Sequence, residues 1–159
     1  MKAAVLTVSD GVSAGVREDE SGALLVDLLA LEKFDVEHRV VPDDHSKIAA
    51  ALRELSQRAR LILTTGGTGV SPRDFTPEAT DSVLDRRVPG IAETLRADAI
   101  EKTPHGLLGR GVAGIRGRTL IVNLPGSPGG CRDGFALIKP ALRHAVELIG
   151  GEQSEHRST

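Results

Sequence analysis

A chain of 159 residues is most simply one domain, able to bury roughly two-thirds of its unfolded surface around a single core. Its 20 basic against 22 acidic residues leave a formal charge of -2, and it has three Phe but no Trp or Tyr, so it offers neither a global positive field nor stacking surfaces for nucleic acid. A lone cysteine, Cys131, excludes an internal disulfide framework and fits a reducing cytoplasm, while the apolar stretch within MKAAVLTVSD is too short for a signal peptide or membrane span.

Residues 3–8 form an uncharged apolar run that opens into Ser9-Asp10-Gly11, the pattern of a buried parallel strand followed by a loop. Leu24, Leu25, Leu28, Leu29 and Leu31 then recur at helical spacing between Ser21, which suits an N-cap, and Lys33. Residues 36–41 read as a second strand that halts at Pro42-Asp43-Asp44. The next helix has Ser46 as its expected cap and Ile48, Leu52 and Leu55 on one face. Residues 61–65 make a third strand. Two helices, 77–86 and 90–102, precede Pro104, which stops the second. Residues 109–115 and 119–124 flank Arg116-Gly117-Arg118 as a hairpin. The last helix follows Gly130, carries Phe135, Ile138, Leu142, Val146 and Ile149 as its stripe, bends at Pro140 and ends at Gly150-Gly151. Residues 1–151 are thus the expected domain, and 152–159, with no apolar residue, a disordered tail.

Strands alternating with helices at this spacing predict an α/β three-layer sandwich: a mostly parallel sheet with helices on both faces, plus a small hairpin. Ser9-Asp10, residues 42–44, residues 65–67 and residues 123–130 all follow strands, and ligands of open parallel sheets bind outside the strands' carboxyl ends.

One of those loops carries chemistry. In Thr64-Thr65-Gly66-Gly67-Thr68-Gly69 a buried strand feeds three glycines, and a helix start with Thr76 and Pro77 follows. Glycines let main-chain N–H groups approach a ligand closely, and the helix start adds unpaired donors, so the segment is built as an anion cradle. It is no P-loop, because no Gly-Lys-Ser/Thr follows. Residues 126–130, ahead of the last helix, are a second candidate cradle. Gly109-Arg110-Gly111-Val112-Ala113-Gly114 fits GxGxxG but lies in the hairpin, and Gly11-Val12-Ser13-Ala14-Gly15 fits GxSxG without the immediate helix of a nucleophile elbow. Cys131 stands near a helix start, which lowers a thiol pKa, but burial as a small apolar residue is the expected role. The histidines lack HxxxH spacing, so no zinc site is assigned.

Four segments, VSD at 8–10, VPDD at 41–44, TTGGTGVSPRDFTPEAT at 64–80 and RGVAGIRGRTLIVNLPGSPGG at 110–130, together resemble the molybdopterin adenylyltransferases of molybdenum cofactor biosynthesis, relatives of the G domains of gephyrin and of plant molybdopterin-inserting proteins. The resemblance implies AMP transfer from ATP to the terminal phosphate of molybdopterin, a homotrimer, and Asp43 and Asp74 as catalytic residues and Mg²⁺ ligands. Asp44 is an alternative ligand. It further implies that Gly66, Gly67, Thr68, Gly69, Arg73 and Thr76 meet pterin or nucleotide phosphates, that Asn123, Pro125, Gly126 and Ser127 line the same groove, and that Ser9 and Asp10 belong to the first substrate-side loop. Thr76 suits a helix N-cap equally. Neither nucleic acid nor membrane is an expected partner. The alternative reading is a molybdopterin-binding protein without catalysis; relatives often carry serines around a Leu-Ser-Arg-Ser stretch where this chain has Leu108-Gly109-Arg110-Gly111.

Overall fold

The apolar runs become the central strands of one sheet, as their lack of charge requires. In the computed structural model, which describes residues 1–151, β1 (Lys2–Val8), β2 (Asp35–Val41), β3 (Leu61–Thr65), β4 (Arg86–Arg87), β5 (Ala113–Arg116) and β6 (Thr119–Leu124) lie in the order β2-β1-β3-β6-β5-β4. Strands β2, β1, β3 and β6 are mutually parallel, and β5 and β4 run antiparallel to their neighbours. The predicted three-layer α/β sandwich with a hairpin is therefore the observed fold. The expected tail lies outside the described residues.

Alternation along each strand sorts the core into two halves. Ala3, Val5, Leu61, Leu63 and Val122 face α2 (Glu20–Leu31), α5 (Pro89–Lys102) and α6 (Pro128–Ile149). Ala4, Leu6, Val8, Ile62 and Ile121 face α3 (His45–Leu55) and α4 (Thr76–Val83). Ile48, Leu52 and Leu55 are fully buried on α3, each stabilising the fold by about 1.5–3 kcal/mol relative to exposure. At the edge, β2 carries Glu37, His38 and Arg39. Arg58 pairs with Glu37 at 2.7 Å and Arg39 with Glu54 at 2.8 Å, and such charges discourage pairing of this edge with another strand.

Several helix boundaries differ from the sequence reading, for one recurring reason. Two of the caps are aspartates, each two residues earlier than the expected serine. Asp19, not Ser21, accepts from Gly22 N–H at 2.9 Å, and Asp44, not Ser46, accepts from Lys47 N–H at 2.9 Å. Ser21 is buried instead. Ser9-Asp10 does not remain a loop: Ser9 caps a one-turn helix, α1 (Asp10–Ser13), by accepting from Val12 N–H at 3.2 Å. Thr76 is the first residue of α4 rather than its cap, which is Phe75. The first hairpin strand begins at Ala113 and not at Gly109, because Arg110 N–H goes to Thr68 O at 2.9 Å and Val112 N–H to Asn123 Oδ1 at 3.1 Å, outside the strand ladder. Pro140 stands on an exposed turn inside a continuous α6, and Ala136, whose carbonyl loses its helical donor to the proline, is exposed too.

Asn123 is the polar knot of the interior. Only 4% exposed, it donates from Nδ2 to Thr64 Oγ1 and Thr80 Oγ1, both at 3.0 Å, and its Oδ1 accepts from Val112 N–H at 3.1 Å. Asn123→Ala leaves two buried hydroxyls and the half-buried Val112 N–H without these partners, and the expected loss of unfolding free energy is about 2–4 kcal/mol, measured by urea denaturation.

Candidate active site

Because β1, β2, β3 and β6 are parallel, their carboxyl ends open on one rim of the sheet. Around it lies a cleft of about 590 Å³, lined among others by Ser9, Asp43, Gly66, Gly67, Asp74, Gly126 and Ser127. That volume is within the roughly 300–1,000 Å³ of small-molecule sites. The fourteen site residues of the sequence reading are not all equivalent here, however, and they divide into those lining the cleft and those building it.

The glycine loop is shaped by close backbone approach. A Cβ at Gly66, where φ is +97°, would stand 2.2 Å from the Val8 carbonyl oxygen, and one at Gly67, where φ is +68°, 2.3 Å from Thr76 Oγ1. Both positions exclude a side chain for steric and conformational reasons together. Thr76 holds the loop from beneath: its hydroxyl donates to Gly66 O at 2.8 Å and its N–H to Gly67 O at 3.1 Å. Fully buried, Thr76 therefore supports the cradle and does not present its hydroxyl to the cleft. Asn123 is likewise committed inside the fold.

Beside the glycine turn, where a Cβ at Gly126 would stand 3.4 Å from Gly66 Cα, α6 begins at the second glycine segment. Ser127 caps it, accepting from Gly130 N–H at 3.1 Å, and Thr65 Oγ1 donates to Pro125 O at 2.7 Å, tying this loop to β3. A 22-residue helix thus points its amino end at the cleft, where its partial positive charge favours an anion. Cys131 lies buried behind it, its thiol pushed up to about 11 chiefly by burial, which suits packing and not nucleophilic attack.

The acidic residues are held as a set. Asp10 N–H donates to Asp43 Oδ2 at 2.9 Å, and Asp43 N–H donates to Asp10 Oδ1 at 3.0 Å. Arg73 brackets the pair, donating to Asp10 Oδ2 at 2.7 Å and to the Asp43 carbonyl at 3.1 Å, which holds the Asp10 carboxyl below its usual range. In this arrangement Arg73 neutralises a carboxylate. Asp74 also lines the cleft, and its Oδ2 accepts from Ser71 N–H at 2.9 Å. Asp43 is the stressed member: burial, and then repulsion from Asp10 and Asp74, push its carboxyl above the ordinary value despite the hydrogen bond from the Asp10 side and the nearby Arg73. Asp44 is spent on capping α3.

A second cavity of about 410 Å³ adjoins the first across Ser127. Ala92, Leu95, Leu124 and Pro125 give it apolar walls, with Thr68, Gly109, Gly111 and Asn123 at its edges. Most of the predicted set is thus distributed over two adjoining spaces, while Asp10, Gly69, Arg73 and Thr76 line neither. Two contributions escaped the sequence reading. The run Arg17-Glu18-Asp19-Glu20 walls the cleft, with Asp19 Oδ2 2.9 Å from His38 Nε2, and Arg110 binds the glycine loop from outside. The delayed start of α2 after a charged run was the available signal for the first, and an arginine flanked by two glycines for the second.

A family model described as "Probable molybdopterin binding domain" matches residues 4–144, which include every cleft residue named above. The chain belongs to this molybdopterin-binding domain family. Within the family it is 37% identical to the molybdopterin adenylyltransferase of Helicobacter pylori strain 26695, over 92% of this chain and 86% of that protein. It is 39% identical to gephyrin of Dictyostelium discoideum over 93% of its own length, but spans only 22% of that longer protein. Among solved structures, the molybdopterin biosynthesis enzyme MoaB of Thermus thermophilus superposes with a TM-score of 0.88 at 48% identity, covering 94% of this chain and 96% of that one.

The raised Asp43 carboxyl has a testable thermodynamic sign. A folded-state value above the unfolded one means that the folded state favours the proton, so stability is lost as pH rises through the raised value and the cost persists at neutral pH. Asp43→Asn keeps an acceptor for Asp10 N–H and removes the charge. At pH 7 its thermal midpoint is expected about 1–2 °C above that of the parent chain, with the gap narrowing toward pH 4, as read by differential scanning calorimetry.

Proposed function

We propose that this chain transfers AMP from ATP to the terminal phosphate of molybdopterin, releasing pyrophosphate, as a cytoplasmic step of molybdenum cofactor biosynthesis. The observation that carries the reading is the meeting of Asp43, Asp74, the Gly66-Gly67 turn and the amino end of α6 around one cleft, in a chain similar along most of its length to a protein named for that activity. A homotrimer, implied by the family resemblance, is part of the same reading.

The chemistry brings two anions together. A phosphate oxygen must approach the α-phosphorus of a nucleotide that is itself negative, so the protein's task is to offset repulsion and hold attacking and leaving oxygens in line. The glycine turn and the start of α6 supply main-chain donors side by side on the cleft, at the ends of adjacent strands. Arg73 is placed to exchange Asp10 for a phosphate. The apolar walls of the adjoining cavity suit a flat heterocycle, which this aromatic-poor chain must hold against aliphatic side chains and peptide planes. No protein nucleophile is required, consistent with the buried thiol of Cys131.

The acidic set fits Mg²⁺. Asp43 bears unbalanced negative charge from Asp10 and Asp74, which a cation would relieve. Among the described residues no group of three or more His, Cys, Asp or Glu converges as a ready-made metal cage, so substrate phosphates and water would complete the shell around Asp43 and Asp74. When bound, Mg²⁺ would supply charge neutralisation at the phosphate oxygens.

Incubation with molybdopterin, ATP and Mg²⁺ is expected to release pyrophosphate and form adenylylated molybdopterin. Asp74→Asn is expected to lower turnover at least about 100-fold without loss of fold by circular dichroism, and chelation of divalent cations to stop turnover reversibly. Molybdopterin binding without turnover by the parent chain would instead select a non-catalytic binding protein.

A further inference from the structure

Arg110 lies outside the cleft lining, yet it fastens the loop that carries Asp74 at both ends. Its N–H donates to Thr68 O at 2.9 Å, Nε to Gly69 O at 2.7 Å and Nη2 to Asp74 O at 3.0 Å, while Nη1 pairs with Glu78 on α4. One residue thus spans positions 68 to 78 of a segment whose middle, residues 70–73, is exposed and has no apolar anchor in the core. The Asp74 carboxylate lies against the same fastened loop: its Oδ2 would stand 2.9 Å from a Cβ at Gly69 and accepts from Ser71 N–H at 2.9 Å.

The base of Arg110 is fixed as well. Arg96 Nη1 donates to Gly111 O at 2.7 Å, and Val112 exchanges hydrogen bonds with Asn123, whose N–H donates to Val112 O at 3.0 Å. Arg110 therefore stands on a strut anchored in β6. Only a planar guanidinium with donors in a fixed fork serves two carbonyls and a carboxylate at once; a lysine ammonium retains the charge but loses the fork.

We propose that Arg110 is a positioning residue for adenylyl transfer, locking the Gly69 and Asp74 main chain so that the Asp74 carboxylate is aimed at the cleft. The proposal rests on the adenylyl-transfer reading above. It gives Arg110 no contact with substrate, so its removal acts through Asp74 geometry, in the rate of the chemical step more than in substrate affinity.

The test compares the full chain with R110K and R110Q in steady-state turnover, thermal unfolding and amide hydrogen exchange. Expected for both variants are a kcat lower by about 30-fold or more, KM values for ATP and molybdopterin within about threefold, thermal midpoints close to the parent, and faster exchange confined to residues 69–74. A kcat within about threefold of the parent, a loss expressed only in KM, or exchange unchanged at 69–74 overturns the proposal. Global unfolding of both variants overturns it too, since Arg110 would then serve stability at large. If the parent chain releases no pyrophosphate, the adenylyl-transfer reading fails on its own, and Arg110's hold on the loop is still decided by the exchange data.

Discussion

Thr7, Thr65 and Leu124 stand in register across β1, β3 and β6, and Val8 faces Val41 on β2, so four parallel strands end level with one another. Everything at the site depends on that alignment. It brings segments distant in sequence to within hydrogen-bonding reach: Asp10 meets Asp43 across 33 positions, and Thr65 meets Pro125 across 60. A one-residue slip of any of these strands would also exchange its two faces, sending side chains from the α2–α6 half of the core toward α3 and α4. The buried pattern of the strands thus fixes the register, and the register fixes the rim.

The rim combines opposing electrostatic demands. Main-chain donors from a glycine turn and a helix start favour anions, while Asp10, Asp43 and Asp74 are themselves anionic. In the chain alone the conflict is reduced locally, by Arg73 on Asp10 and by reciprocal backbone donation between Asp10 and Asp43, but Asp43 retains the cost of desolvation and like charge. Such residual strain is common where groups are arranged for a ligand more than for stability. A cation and a phosphate arriving together would satisfy both signs at once, which is the physical logic of the transfer proposed above.

Behind the rim lies a layer of polar residues whose hydrogen bonds hold it in shape. Thr76 turns the glycine loop, Asn123 ties β6 to β3 and α4, and Arg110 clamps the loop from outside. Two of these, Thr76 and Asn123, carry residue types that sequence reading assigns to ligands. Their burial shows why such assignments need geometry: a hydroxyl or amide beside a glycine turn is as useful for holding carbonyls in place as for touching a phosphate.

The sequence by itself determined the alternating α/β layout, the four strands that lead to polar loops, and the glycine turns, because apolar periodicity and backbone permissiveness are local properties. Gly66 and Gly67 were legible for the same reason, lying directly after a strand, whereas Asp43 and Asp74 were singled out by resemblance to a family and stand on the cleft in the structure. Capping was read less well. Serines and aspartates compete for the same helix starts, and only the path of the chain selected Asp19 and Asp44. Tertiary structure alone decided which side chains face the cleft, that Arg73 rests on Asp10, and that Arg110 reaches carbonyls at 69 and 74. Those outcomes depend on contacts between segments 30 or more positions apart, where no local pattern carries direction.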